Sequence, residues 1–311
     1  MKPFVIGCVM LLCAVSARGS EPVGPRRLWL VLGAPGEERF ARDFAEQAGA
    51  WKKEAGRAGG IELREIRDRV ALEAACGEDR SLRADELWMV LIGHGTFDGR
   101  VAKFNLEGPD VSAEDLAGWL SGRTGPTVVI HTGECGGPFL PALSGKNRVV
   151  VTATQSGAEV VVTRFGGHFA AALGEPLSDL NRDGTVSVLE AFLVGARRTV
   201  ESYEQQRRLV SEHALIDDNG DGKGTRADWF EGWRGTRKSA EGAPADGVAS
   251  ARMALVPAPS DRALTKEQRG RRDRLEDEIE ALRGLREKMG EKEWYEQLEA
   301  RLLELGKLLG S

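Results

Sequence analysis

The chain has 311 residues, of which 41% are hydrophobic and 29% are charged, and its formal net charge is −5. This length allows one to three domains, and the composition is typical of a soluble globular protein. The mild negative charge provides no basic face of the kind that nucleic acid or an anionic membrane requires. We therefore expect neither of these as a partner.

The N-terminal segment is apolar and follows a basic residue. The apolar run covers residues 4–15, and the small side chains of Val15 and Ala17 fit the −3 and −1 positions of a cleavage site. Because a membrane span needs roughly 20 residues, residues 1–17 are interpreted as a cleaved signal peptide. This predicts an exported protein, periplasmic or secreted, with no membrane contact after cleavage. An uncleaved anchor and a lipoprotein signal at Cys8 are the alternatives.

Short apolar runs alternate with stretches of helical spacing through the first half of the chain. The runs predict strands at residues 28–32, 61–66, 86–92, 126–130 and 148–153. Helical spacing covers residues 37–57, 69–76 and 113–120. Continuous apolar strands are typical of a parallel sheet that is buried on both faces, and the alternation predicts helices on both faces. We therefore predict an α/β domain over residues 18–173.

Two reactive side chains follow neighbouring strands of this predicted sheet. His94, flanked by two glycines, follows the third strand, and Cys135 lies in the glycine-rich segment 133–137 after the fourth. Because ligands bind at the carboxyl ends of parallel strands, we expect the two side chains to meet there. A histidine can remove the thiol proton and later protonate a leaving amine, and N–H groups of glycines such as Gly95 and Gly136 can bind the oxyanion.

These motifs and their order resemble the caspase-like cysteine peptidases, which include legumains, caspases, metacaspases and clostripain-like enzymes. Residues 91–95, Leu-Ile-Gly-His-Gly, are similar to the histidine motif of that clan, and residues 134–137, Glu-Cys-Gly-Gly, are similar to its cysteine motif. The resemblance covers about half of the chain. It implies a caspase-like three-layer fold with a mostly parallel sheet, and an exported bacterial cysteine endopeptidase that cleaves a peptide or protein substrate. It also implies a His94/Cys135 dyad, with oxyanion donors at Gly95 and Cys135.

Two alternatives to an active dyad stay open. Cys135 comes five residues after the fourth strand, whereas many members of the clan have it two residues after the strand. Thr132 could then stand in its place and leave an inactive scaffold or protein-interaction module. Signal cleavage would leave Cys76 and Cys135 as the remaining cysteines, and an exported protein could join them in a disulfide. His131 is either a second base or a buried structural residue. Glu159 or Asp110 could select a basic substrate side chain, and the alternative for both is a solvated carboxylate.

An acidic segment, residues 179–190, has the spacing of an EF-hand calcium loop. Oxygen-bearing side chains occupy positions 1, 3, 5, 9 and 12, position 7 offers a carbonyl group, and Gly184 occupies position 6. The predicted ligands are Asp179, Asn181, Asp183, Thr185, Ser187 and Glu190. The short side chains converge on one point and the glutamate can bind with both oxygens, so we predict Ca²⁺ as the cofactor. A turn that caps the following helix is the alternative.

A second acidic segment, residues 217–228, repeats most of this pattern but ends in aspartate. Its predicted ligands are Asp217, Asn219, Asp221, Lys223, Thr225 and Asp228. Aspartate at position 12 is one methylene shorter than glutamate and reaches a bidentate geometry less easily, so this is the weaker site. Calcium at the millimolar concentration found outside the cytosol would fill even a weak site. We refer to residues 179–190 as loop 1 and to residues 217–228 as loop 2.

The rest of the chain is assigned to three segments. Residues 174–235 are predicted to be helical around the two loops, and residues 236–264, rich in Ala, Gly, Pro and Ser, are predicted to be a linker or a loosely docked segment. Residues 265–311 are predicted to form a helical hairpin or coiled coil with a turn at Gly290. The apolar stripe of this hairpin packs on its own domain or mediates self-association. A role as an assembly component is therefore a third functional hypothesis.

Overall fold

The structure is a computed structural model that describes residues 26–79, 85–232, 234–236, 245–257, 264–286 and 288–309. The predicted signal peptide lies outside these residues. The chain divides at residue 264 into two compact units, which are described separately. Within the described ranges, no helix combines the length and the apolar character that a membrane crossing demands.

Strands build one large sheet and two small ones. In chain order they are β1 (Arg26–Leu32), β2 (Ile61–Ile66), β3 (Leu87–Ile92), β4 (Gly95–Phe97), β5 (Ala102–Phe104), β6 (Val111–Ser112), β7 (Thr127–His131), β8 (Arg148–Thr152), β9 (Leu215–Asp217), β10 (Thr225–Arg226), β11 (Phe230–Glu231) and β12 (Arg234–Gly235). The large sheet has the spatial order β10-β9-β8-β7-β3-β1-β2. Its strands β2, β1, β3, β7 and β8 are parallel, whereas β9 and β10 are joined in antiparallel pairing.

Helices cover both faces of the large sheet. In the first unit they are α1 (Glu38–Ala58), α2 (Arg69–Asp79), α3 (Ala113–Trp119), α4 (Phe139–Leu143), α5 (Phe165–Leu173) and α6 (Val188–Gln205). Side chains of α1, α5 and α6, such as Trp51 and Phe192, form one buried cluster with the sheet. Side chains of α2, α3 and α4, such as Leu72 and Leu116, form a second cluster. The predicted three-layer α/β fold with a mostly parallel sheet is therefore confirmed.

The central strands owe their position to unbroken apolar sequence. Successive side chains of a strand point to opposite faces, so Leu28 and Leu30 belong to the first cluster and Trp29 and Val31 to the second. All residues of β3 are buried as well. Each large apolar side chain that is fully buried contributes about 1.5–3 kcal/mol, so strands of this kind are stable only between two helical layers. Their carboxyl ends form one edge of the sheet, where the predicted dyad lies.

Part of the segment predicted to be helical forms strands instead. Helix α6 supplies the expected helix, but Leu215–Asp217 joins the large sheet as β9, with Ile216 opposite Val151. A strand of three residues is too short to show a periodicity in the sequence. Its pairing satisfies backbone groups along β8 that would otherwise form an open edge. As a result Asp217, the first residue of loop 2, is held by the sheet.

Part of the predicted linker packs against the first unit. Asp246, Ser250 and Leu255 are buried, and the backbone N–H of Val188 donates to the carbonyl of Met253 at 2.8 Å. Its apolar side chains Ala249, Ala251, Met253 and Leu255 also pack on the core, but their spacing does not extend into a recognisable periodic pattern. Residues 246–255, which we call the strap, are therefore a docked element rather than an extended connection.

The second unit is a helical hairpin of α7 (Lys266–Leu285) and α8 (Glu291–Leu309). Leu275, Ile279 and Leu282 of α7 are buried. Trp294 of α8 donates its indole N–H to the carbonyl of Leu282 at 2.7 Å. The stripe of α7 is thus buried as far as Leu282, whereas its continuation on α8 leaves Tyr295 and Leu302 exposed.

Candidate functional site

His94 follows β3 at the carboxyl edge of the sheet, in a place where backbones come close together. A Cβ atom on Gly93 would lie 2.8 Å from the Cα atom of Gly33, so only glycine fits between the ends of β1 and β3. The imidazole packs against the rings of Phe40 and Phe44 of α1, with ring centroids 4.6 and 5.1 Å away. Its side chain is 20% exposed. Packing therefore fixes the histidine, and part of it faces solvent.

The side chain that contacts His94 is Glu134. The Nδ1 atom of His94 lies 3.2 Å from Oε1 and 3.3 Å from Oε2 of Glu134, and the backbone N–H of Gly95 donates to Oε2 at 3.2 Å. Glu134 is buried. The hydrogen bond with Glu134 raises the pKa of His94 against the opposing effect of burial. The pair therefore favours an imidazolium next to a carboxylate.

Cys135 lies in the turn after β7, with its side chain withdrawn from solvent. The residue is 1% exposed. Its backbone has a φ angle of 55°, in the left-handed region that non-glycine residues rarely adopt. Its N–H group donates to the carbonyl of Glu159 at 3.0 Å. In this conformation a substrate has no access to the thiol.

The state of the thiol follows from this burial. Burial, followed by the charge of Glu134, raises the pKa of Cys135, and a raised pKa disfavours the thiolate that acts as a nucleophile. No disulfide joins Cys76 and Cys135, so the bond considered from the sequence is not formed between these two described residues. The hydrogen bonds that the structure describes include none between Cys135 and His94. The two predicted dyad residues therefore share one edge of the sheet without forming a pair.

The backbone donors predicted for an oxyanion are engaged within the fold. The N–H of Gly95 is bound by the glutamate carboxylate, and that of Cys135 is bound by a backbone carbonyl. The N–H of Gly136 donates to the hydroxyl of Thr154 at 2.7 Å. An oxyanion hole needs donors that point to the place where the charge develops. None of these three N–H groups is available for that role in this conformation.

His131 and Thr132, at the end of β7, have structural roles. His131 is fully buried and packs against Phe104 and Phe139, with ring centroids 5.5 and 4.6 Å away. Neither of its ring nitrogens has a hydrogen-bond partner among the described residues, and burial lowers the pKa of His131 to about 4. The hydroxyl of Thr132 donates to a carbonyl of β3 at 2.9 Å. Both side chains are buried, so neither offers an accessible base or nucleophile.

Glu159, whose backbone carbonyl accepts the N–H of Cys135, forms a second pair of histidine and carboxylate with His213. Glu159 Oε1 lies 2.6 Å from Nδ1 of His213, and Oε2 accepts from the backbone N–H groups of Gln155 and His213 at 2.9 and 3.2 Å. Glu159 is therefore occupied and does not serve as a free carboxylate for substrate selection. Sequence reasoning did not single out His213, because 54 residues separate it from Glu159 and no local motif links them.

A cavity of about 480 Å³ opens beside the turn that carries Cys135. Gly137 and Gln155 line it from the carboxyl ends of β7 and β8, and Lys223, Arg226 and Trp229 line it from the side of loop 2. The charged groups in this lining are both cationic. The volume lies in the range of sites for small ligands and single side chains.

Loop 1 is closed by hydrogen bonds to the carboxylates of its first and twelfth residues, Asp179 and Glu190. Asp179 accepts the N–H groups of Asp183 and Gly184 at 3.2 and 2.9 Å, and Gly184 takes the sharp turn with a φ angle of 90°. Glu190 Oε1 accepts the N–H groups of loop positions 2 and 3 at 2.8 and 3.2 Å. Glu190 Oε2 accepts the N–H and the hydroxyl of Ser187, position 9, at 2.7 and 2.8 Å. The twelfth residue therefore closes the loop over its beginning.

Loop 2 is closed in the same way, but by a carboxylate from the strap. Asp217 accepts the N–H groups of positions 4 and 6 at 2.9 and 2.8 Å. Asp246 Oδ1 accepts the N–H groups of positions 2 and 3 at 3.0 and 3.3 Å, and Oδ2 accepts the hydroxyl of Thr225, position 9, at 2.6 Å. These are the contacts that Glu190 makes in loop 1. Asp246 therefore takes the place in loop 2 that the sequence spacing assigned to Asp228.

Asp228 itself points away from loop 2. It belongs to a short 3₁₀ turn, pairs with Arg226 at 3.0 and 2.9 Å, and is 58% exposed. Asp246 could not be predicted from a local pattern, because 21 residues separate it from position 9 and no spacing rule spans that distance. Burial, together with the neighbouring carboxylate of Asp218, raises the pKa of Asp246 to about 7.

The fit of these loops to a cation depends on all their oxygen atoms. In the part of the chain that the structure describes, Asp, Glu, His and Cys side chains alone form no group of three arranged to hold a metal ion. An EF-type loop also uses amide and backbone carbonyl oxygens, and each loop has an asparagine at position 3. Donors that are all oxygen suit calcium rather than a transition metal.

Comparison with known proteins finds no matching family model and no matching curated protein. Among solved structures, the chain is similar to the crystal structure of the Drosophila initiator caspase Dronc. The two chains are 13% identical, the TM-score is 0.42, and the match covers 73% of this chain and 94% of that chain. A similarity of this size leaves the chemistry of the edge to be argued from its own residues.

Proposed function

We propose that the chain is an exported caspase-like protein without a working His94/Cys135 dyad, which binds a peptide or protein segment at the carboxyl edge of its sheet. One observation carries the proposal. Cys135 is 1% exposed, and its thiol has no described hydrogen bond with His94, whose Nδ1 atom instead contacts the buried carboxylate of Glu134. The engaged backbone donors support the same conclusion. The exported location rests on the sequence of residues 1–17.

The cavity beside Gly137 supports a peptide side chain as the ligand. Arg226 in its lining is paired with Asp228, so Lys223 is the cation that favours an acidic side chain over a basic one. Trp229 adds an aromatic wall that suits interfaces. Binding of this kind requires neither a free thiol nor an open oxyanion hole.

The absence of thiol catalysis is tested on the full chain in calcium buffer. We expect iodoacetamide to label Cys135 only after denaturation, as located by mass spectrometry. We also expect no cleavage of casein or of a peptide library that depends on this thiol. Cleavage that both Cys135→Ala and His94→Ala abolish would overturn the proposal.

Peptide binding is followed in the same preparation by fluorescence anisotropy. Lys223→Glu should weaken the binding of an acidic peptide about tenfold, or about 1.4 kcal/mol, while Lys53→Glu on α1 should leave it unchanged.

An active cysteine endopeptidase is the second candidate, and the placement of the two residues favours it. His94 follows β3 and Cys135 follows β7, and these strands are neighbours in the sheet. Activity would require the turn over residues 133–137 to rearrange, so that the buried thiol of Cys135 becomes accessible and comes within hydrogen-bond reach of the imidazole. The cleavage experiment distinguishes this candidate from the binding protein.

Calcium is proposed as the stabilising ligand of the two loops. Loop 1 would hold it through Asp179, Asn181, Asp183, Thr185, Ser187 and Glu190. Loop 2 would hold it through Asp217, Asn219, Asp221, Lys223 and Thr225, with Asp246 in the place of Asp228. The ion would supply positive charge among clustered carboxylates. It would not take part in chemistry at His94.

A further inference from the structure

The strap contacts both acidic loops, although the loops lie far apart in the sequence. At loop 2 the contact is reciprocal. Asp246 of the strap accepts the N–H groups of Asp218 and Asn219. In return, the Asp218 carboxylate accepts the N–H of Gly247 at 3.0 Å and the N–H and hydroxyl of Ser250 at 2.6 and 2.7 Å. Loop 2 and the first half of the strap therefore hold each other in place.

The second half of the strap is bound to the end of loop 1. Val188 donates its N–H to the carbonyl of Met253 at 2.8 Å, and Ser187 forms an antiparallel bridge with Ala254. Ser187 is position 9 of loop 1, and its N–H and hydroxyl bind the carboxylate of Glu190. Only one residue thus separates the strap from the carboxylate that closes loop 1.

The sheet fixes the C-terminal end of the strap. Leu255 is 1% exposed and belongs to the core. Arg26 of β1 donates to the carbonyls of Ala254 and Leu255 at 2.7 and 2.9 Å. Because this end cannot move freely, a shift of the strap at loop 2 must be taken up between residues 246 and 254. That stretch includes the contacts with loop 1.

We propose that the strap couples the two loops, so that calcium at one loop raises the affinity of the other for calcium. The inference rests on the proposed binding of calcium. An ion in loop 2 would order Asp246 and Asp218, and with them the strap. The conformational entropy of ordering the strap against Ser187 would then already be lost before loop 1 binds its calcium ion, so that binding would cost less free energy. Coupling of this kind is reciprocal and typically changes affinity by about 5- to 150-fold.

The experiment titrates calcium into the full chain and follows each loop separately. Gly184 and Gly222 stand at position 6 of loops 1 and 2, and their backbone N–H groups donate to Asp179 and Asp217. In ¹⁵N-labelled protein, the amide resonance of each glycine therefore reports calcium binding at its own loop. Asp183→Ala, an exposed position of loop 1, should weaken loop 1. It should also raise the dissociation constant read at Gly222 at least about fivefold.

One control variant and one variant of the strap test whether the strap carries the coupling. The control, Glu201→Ala at an exposed position of α6, should leave both titrations unchanged. Ser250→Ala should leave both loops able to bind but reduce the effect of Asp183→Ala on Gly222. An affinity at Gly222 that Asp183→Ala leaves unchanged would overturn the coupling while the calcium proposal stands. Coupling that persists fully in Ser250→Ala would overturn the role of the strap. A wild-type protein in which neither glycine responds to calcium would overturn the calcium proposal, and the coupling with it.

Discussion

The contact between His94 and Glu134 gives the carboxyl edge of the sheet a charge that depends on pH. Glu134 raises the pKa of His94, so the imidazolium persists to higher pH in the folded chain than in the unfolded one. The stability from this pair is therefore fully present below the unfolded pKa of about 6.5 and is lost as the pH rises through the folded pKa. A thiol beside the same ring would carry no such charge at neutral pH unless its own pKa were lowered.

The contribution of His131 to the free energy of unfolding depends on pH in the opposite direction, and we predict its magnitude. Its pKa is about 4 in the folded protein and about 6.5 in an unfolded chain. The stability it allows is present above pH 6.5 and is lost as the pH falls towards 4, by about 3 kcal/mol. His131→Phe places a ring of similar size between Phe104 and Phe139 without a titrating group. Urea unfolding at several pH values should therefore show a smaller loss on acidification than in the wild type.

A matched core variant separates titration from packing in this prediction. Phe139→Leu alters the same cluster but adds and removes no proton. It should lower the free energy of unfolding by a similar amount at each pH. If His131→Phe lost as much stability as the wild type between pH 6.5 and 4, the buried neutral histidine would not be the cause of the acid sensitivity.

At the scale of elements, the two loops differ in what closes them. Loop 1 is closed within twelve consecutive residues, and its last residue, Glu190, also forms a capping box with Ser187 at the start of α6. The structure thus has the helix cap that the sequence analysis gave as the alternative, and calcium binding stays a prediction. Loop 2 follows the same spacing as far as Thr225. Its closing carboxylate, Asp246, is delivered by tertiary packing of the strap. A search for local patterns therefore selects Asp228, which lies on the surface.

We predict that removal of calcium lowers the midpoint of thermal unfolding. At a free concentration 100 times the dissociation constant, one bound ion stabilises the folded state by about 2.7 kcal/mol. For a unit of this size that corresponds to a shift of about 5 °C or more. Calorimetry in calcium and in chelator measures the shift, which Glu190→Gln should reduce and Asp43→Asn on α1 should preserve. Equal midpoints with and without calcium would contradict the prediction.

The strands and turns around the site also differ in whether their local sequence is enough to predict them. Strands β3 and β7, which precede His94 and Cys135, are continuous apolar runs. Their carboxyl ends, and the edge of the sheet that these ends form, could therefore be predicted from the sequence. The partner of His94 could not, because it depends on the path of a turn in which Glu134 rather than Cys135 reaches the imidazole. Strand β9 also escaped prediction, since three residues carry no period.

At the scale of the whole molecule, the C-terminal hairpin predicts self-association. Leu302 and Leu303 of α8 are 49% and 58% exposed, and adjacent exposed leucines on a helix are typical of a surface that packs on another helix. We expect the wild type to dimerise with rising concentration in sedimentation equilibrium. The double change Leu302→Lys and Leu303→Lys should shift the protein to the monomer.

A control for this prediction is Leu209→Lys in the first unit. Leu209 is more exposed than either leucine of α8, so the change tests whether any loss of apolar surface is enough. It should leave the dimer intact. A wild-type protein that stays monomeric, or a double variant that associates like the wild type, would exclude the hairpin as the association surface.

The end of β9 at loop 2 also bears on how the sheet is kept from growing. Asp217 is paired with Val150 as the last residue of β9, and the chain then turns into a run of acidic residues before β10 adds a final strand of two residues. Open sheet edges recruit strands from other chains and lead to aggregation. The border strand β10 is only two residues long, and the opposite border, β2, carries Glu62, Arg64 and Glu65. One border of the sheet thus offers few backbone groups to a strand from another chain, and the other is guarded by charge against the growth of fibres.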